Sequence, residues 1–127
     1  MTFAAGIGVV LLAGIIVFQI ALALGAPLGR MAWGGQQDGV LPGRLRIASG
    51  VAAVVIYPLI IVAILGSADL TDAEFLRESG GWVMWALAGL FTLGAVANLV
   101  SRSTAERFWA PVSFALAICC VVIAVGR

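Results

Sequence analysis

Four side chains in this sequence have the chemistry to hold a small molecule: Gln19, Asn98, Arg46 and Trp33. Gln19 and Asn98 carry carboxamides, which donate and accept hydrogen bonds, and Trp33 adds a flat ring with one N–H donor. Arg46 offers a planar guanidinium suited to bidentate contact with phosphate or carboxylate. Each lies at or towards one end of an apolar run, or in the loop beside it, and the alternation of the runs brings all four to the same end. Together they read as a shallow pocket, with Gln19 and Asn98 as hydrogen-bond partners, Arg46 as anion clamp and Trp33 as lid. A lipid headgroup or a small anion would suit it. The same residues also have a purely structural reading. The two carboxamides can bond each other or a carbonyl, worth ~0.6 kcal/mol inside a membrane, and the arginines can snorkel.

Other chemistry is missing. The chain has no His, and all seven of its basic residues are Arg. His-based acid–base catalysis, haem ligation by His and the usual zinc sites therefore lack their parts. No C-x-x-C pair is present for thiol redox chemistry. Cys119 and Cys120 are adjacent within an apolar run, where a disulfide would be strained, and they read as small buried apolar side chains. Proton-coupled antiporters use an ionisable group in the membrane. The small multidrug antiporters have a similar size and span number but carry a Glu in their first span, where this chain has Gln19. The small fluoride channels also have four spans, but their polar pore pattern is missing here. Asp69, Asp72, Glu74 and Glu78 cluster in one loop, and Glu106 reads as a helix cap. No cofactor or metal is expected, and a net charge of +1 gives no footprint for nucleic acid.

The elements that must position these residues are apolar runs. Hydrophobic residues make up 63% of the chain, and spans are expected at about 3–24, 45–65, 82–100 and 108–125. Each run reaches or approaches the ~20 residues that a helix needs to cross ~30 Å of hydrocarbon. None alternates as a barrel strand would. The sequence thus predicts an all-α, four-helix transmembrane bundle as a single domain, with both termini on the outer side. The first run lacks a positive leader and is longer than the apolar part of a signal peptide, so it is read as a retained span.

The prolines and caps add detail. Pro58 falls near the middle of the second span, where it deprives the Val54 carbonyl of its partner and bends the helix. Thr71 with Glu74 and Ser103 with Glu106 fit capping boxes. The first predicts a short surface helix ended by Gly80-Gly81. The second starts the fourth helix near Thr104 and leaves Pro111 inside it as a bend. Small residues at Ala4-x-x-x-Gly8, Ala21-x-x-x-Gly25 and Leu90-x-x-x-Gly94 allow close helix approach, so Gly8, Gly25 and Gly94 are expected on packing faces. A faint two-plus-two echo, Leu12-Ala13-Gly14 against Leu87-Ala88-Gly89, is short enough to arise by chance.

Loop one, residues 25–46, is long for a connection without structure of its own. It has glycine at 25, 29, 34, 35, 39 and 43, proline at 27 and 42, and an apolar centre of Met31, Ala32 and Trp33. Flexible linkers rarely contain Trp, and the segment is expected to fold back onto the bundle. Arg30, Arg44, Arg46, Arg102 and Arg107 flank loops one and three, whereas only Arg77 and Arg127 lie opposite. Short Arg-rich loops stay cytoplasmic, which places loop one inside.

The runs Gly25-Ala26-Pro27-Leu28-Gly29, Ala32-Trp33-Gly34-Gly35-Gln36 and Leu41-Pro42-x-Arg44-Leu45-Arg46 resemble a recurring pattern of small bacterial four-span membrane proteins. So does the segment Ser101-Arg102-Ser103, Glu106-Arg107, Trp109-Ala110-Pro111. The resemblance implies a bacterial inner-membrane location and carries no activity. Two functions are expected from these readings. The first is a non-enzymatic structural or accessory protein that packs as a homo-oligomer or in a larger membrane complex, with membrane lipids around it. The second is a transporter or binding protein for a small molecule, anion or lipid, using the polar end.

Overall fold

A computed structural model describes residues 1–35, 37–72, 74–101 and 103–126. Gln36, Arg102 and Arg127, used in the sequence reading, lie outside the described residues. Four helices are long and apolar enough to cross a membrane, over Thr2–Ala23, Gly43–Ser67, Gly81–Leu99 and Glu106–Val125, and no strand occurs among the described residues. The protein is an all-α bundle and a multi-pass membrane protein. Its outer surface agrees with that: large apolar side chains such as Phe3, 82% exposed, cover the helices, far beyond the patches that soluble monomers present.

Helix α1 covers Thr2–Ala23. Helices α2 (Gly43–Val51) and α3 (Tyr57–Ser67) form the second span, joined by a π turn over Ala52–Ile56. Helix α4 runs Glu74–Leu99 and α5 runs Trp109–Val125. The antiparallel hairpin of α4 and α5 has the most extensive contact, and α1 packs on α5, α2 and α3. Leu12, Ile64, Met84, Leu116, Cys120 and Ile123 are fully buried between the helices. Both cysteines are free and buried. Gly126 abuts Met1, so the two ends of the chain share one face of the bundle.

Three local expectations are corrected. The Gly80-Gly81 pair does not end a surface helix; α4 passes through it without a break. Two glycines cost about 1 kcal/mol each in a helix interior, and a helix of 26 residues anchored on α5 outweighs that. The capping box expected with Glu74 is not formed, because the buried Thr71 Oγ1 makes no hydrogen bond. Pro111 bends nothing, since α5 begins at Trp109 after a 3₁₀ turn over Glu106–Phe108. The proline therefore sits in the first turn, where a missing N–H removes no helical bond.

Pro58 acts as expected in kind, with a specific outcome. The turn preceding it widens, and the Tyr57 N–H bonds the Ala52 carbonyl five residues back. Such a π turn absorbs one extra residue. It rotates everything after it by about 100° relative to an unbroken α-helix, which sets the direction in which Tyr57 projects.

Candidate functional site

Loop one folds back over one end of the bundle. It does so through tight backbone turns. Helix α1 ends in a Schellman arrangement, with Ala26 N–H donating to the Ala21 carbonyl at 2.9 Å and Gly25 N–H to Leu22 at 3.1 Å. This requires the left-handed conformation of Gly25, φ +100°. The role expected for Gly25 on a packing face is thus replaced by a backbone one. Gly8 does sit at a helix contact, facing Ile64 and Cys119 of the same chain, and Gly94 loosely faces Ser113. Farther along, 3₁₀ turns cover Gly29–Met31 and Trp33–Gly35. The Ser103 hydroxyl of loop three donates to the Arg30 carbonyl at 2.6 Å and ties the two loops together.

Beneath loop one lies a cavity of about 240 Å³. Gln19 enters it from α1, Tyr57 from the π turn's end, Asn98 from the last turn of α4, and Trp109 and Ser113 from α5. Trp33 closes it from above. Three of the four residues singled out in the sequence therefore meet in one place. Arg46 does not. Its Nε donates to the Ala23 carbonyl at 3.1 Å, and it borders a separate shallow groove with Ile47 and Gly50. Its position in the first turn of α2 aims it at the C-terminus of α1, where a cation complements the free carbonyls. Arg46 is expected in the pocket, but it caps the end of α1 and does not line the cavity.

Trp33 is held as a cover. Its Nε1–H donates to Ser49 Oγ at 3.0 Å, and Ser49 is fully buried. Its backbone has φ +52°, a conformation that costs a non-glycine residue on the order of 1–3 kcal/mol. With this backbone and the bond to Ser49, the indole lines the cavity. Ser49→Ala is expected to leave the indole N–H without its partner, a loss of about 0.5–1.5 kcal/mol for a ring that is part-exposed. Tryptophan emission should shift to the red and loop-one amides should exchange faster. Unchanged emission and exchange would show that the bond does not hold the cover.

Sequence reading missed the residue that most changes the site. Glu106 lines the cavity and is buried, at 9% exposure. The expected capping box is only half made: Ser103 Oγ accepts from the Glu106 N–H at 3.4 Å, but the Ser103 N–H turns to Ser101 Oγ at 3.2 Å. The carboxylate is thereby released from capping, and its Oε2 has no hydrogen-bond partner. The one ion pair among the described residues, Arg77 with Asp69 at 2.6 Å, is exposed at the far loop. There the neighbouring Asp69 raises the Arg77 pKa above its ordinary value.

Two further cavity-lining atoms are buried without a partner, Gln19 Oε1 and Trp109 Nε1. Gln19 contacts Tyr57, yet its carbonyl oxygen stays unmatched. The Phe18 ring lies tilted against the Trp109 ring with centroids 4.7 Å apart, and with Trp33 and Tyr57 these rings form an aromatic wall. Tyr57 and Trp109 had no spacing signal of their own. The cue for Glu106 was an acid beside a span on the Arg-rich side, which it shares only with Asp38 of loop one. No family model, curated protein or solved structure matches the chain.

Proposed function

We propose that this membrane protein binds a small molecule in the cavity under loop one, without chemical conversion, and that the site faces the cytoplasmic side of a bacterial inner membrane. The observation that carries the reading is the gathering of three unmatched buried polar atoms, Gln19 Oε1, Glu106 Oε2 and Trp109 Nε1, on one cavity. Buried polar groups are nearly always satisfied, and each one left bare costs about 1–3 kcal/mol. A ligand that matched them would recover that cost on binding. The cavity is smaller than the ~300–1,000 Å³ of drug-sized sites, so the ligand is small. The orientation is supported by Arg30, Arg44, Arg46 and Arg107 on the loop-one side. The alternative role in assembly has weaker support, because Gly8 and Gly94 face residues of their own chain.

Native mass spectrometry after extraction in mild detergent tests this. A single small ligand or lipid per chain is expected, lost in Asn98→Leu while the melting temperature holds. A defined oligomer with an empty cavity would favour the assembly role instead.

A further inference from the structure

We infer that the ligand is a small primary ammonium ion bearing an oxygen, an amino alcohol such as ethanolamine, free or as a lipid headgroup. This rests on the binding role proposed above and names the ligand's chemistry.

The site is built for a cation. Glu106 is nine-tenths buried, lines the cavity and has no counter-charge among the described residues. Among the described residues no basic side chain lines the cavity. Arg46 donates its Nε–H to the Ala23 carbonyl and Arg107 its Nε–H to the Ser101 carbonyl at 3.0 Å, and neither of them, nor Arg30 across the neighbouring groove, forms an ion pair with Glu106. A buried carboxylate needs a partner of opposite charge with hydrogen bonds to match. Phe18, Trp33, Tyr57 and Trp109 surround the same space, and aromatic faces attract cations, most strongly where water is excluded.

The unmatched atoms narrow the class. Glu106 Oε2 and Gln19 Oε1 are acceptors, and a primary ammonium supplies donors to both where a quaternary one supplies none. Trp109 Nε1 is a donor only, so the ligand must also present an acceptor, which a hydroxyl or ester oxygen provides. Glu106 has a further position of interest. It also borders the open groove between loops one and three, with Arg30, Asp38 and Ser103. Glu106 thus lines both the cavity and the groove.

The full chain, purified in detergent free of amines, is titrated with ethanolamine and, separately, with acetate. Heat of binding and tryptophan emission are followed. The expected result is one ethanolamine per chain and no response to acetate. Glu106→Gln should weaken binding about tenfold to a hundredfold, the worth of a charge-assisted hydrogen bond. Trp109→Phe should keep the ring and weaken binding less. If soluble ethanolamine fails but one phosphatidylethanolamine per chain copurifies and is lost in Glu106→Gln, the same chemistry is supplied by lipid. Binding of acetate alone, or of ethanolamine equally by the wild type and Glu106→Gln, would overturn the cation assignment and leave the pocket standing. No response to either probe, with no bound molecule in the native mass, would overturn the binding role itself.

Discussion

Replacing Gly29 with alanine is expected to undock loop one from the bundle and abolish ligand retention while the four spans stay helical. Gly29 is buried where two stretches of loop one cross. Its N–H donates to the Gly39 carbonyl at 3.0 Å. An added Cβ would stand 2.5 Å from that carbonyl oxygen and 2.6 Å from the carbonyl oxygen of Gln37. Both are backbone atoms, so no side chain can swing aside and the crossing itself must open. Overpacking of this kind costs about 1–3 kcal/mol, and the lost hydrogen bond adds about 1 kcal/mol. Loop one has few other anchors: the Trp33–Ser49 bond, the Ser103–Arg30 bond and the Schellman turn. The cover over the cavity depends on them jointly. Hydrogen exchange should show loop-one amides losing protection and the α4–α5 hairpin keeping it. A loop as protected as in the wild type would mean that the crossing does not hold the cover in place.

The same contrast between loop and spans shows what the sequence made legible. The spans were readable because lipid imposes a length and a composition on a helix that no other constraint mimics. The segment 3–24 and helix Thr2–Ala23 differ by a residue at each end. Gln19, Asn98 and Trp33 were placed at one end by counting residues along alternating spans, and that arithmetic holds without knowing any rotation about a helix axis. Arg46 needed the rotation. Counting residues puts it in the first turn of α2 but not on a face of it, and the packing of α1 against α2 sets it on the Ala23 carbonyl. Glu106 failed for a related reason. The Ser103-x-x-Glu106 spacing is that of a capping box, but a box closes only if an α-turn follows. Here a 3₁₀ turn follows, the Ser103 amide bonds Ser101 instead, and the carboxylate is left to the cavity. Pro58 marked where the second span would deform. That the deformation would be a π turn, and so place Tyr57 at the site, depended on neighbours distant in sequence.

Glu106→Leu is expected to stabilise the ligand-free protein and to remove its response to ligand. In the empty protein Glu106 is buried and its Oε2 lacks a hydrogen-bond partner. A leucine of similar volume removes the unmatched group and lines the cavity with apolar surface, a gain of about 1–3 kcal/mol. The half-formed cap survives, because Ser103 bonds the backbone N–H of residue 106 and not its side chain. Thermal unfolding in amine-free detergent should therefore occur at a higher temperature in the variant. Added ethanolamine should raise the wild-type transition further with concentration, as a ligand of the native state does, and leave the variant unmoved. The sign is what discriminates. Were Glu106 simply a cap, its carboxylate near the start of α5 would favour the helix by about 0.3–1 kcal/mol, and leucine would lower the transition. A transition raised by removing the acid, together with a response to ethanolamine lost in the same variant, would mark Glu106 as a binding group and not a cap.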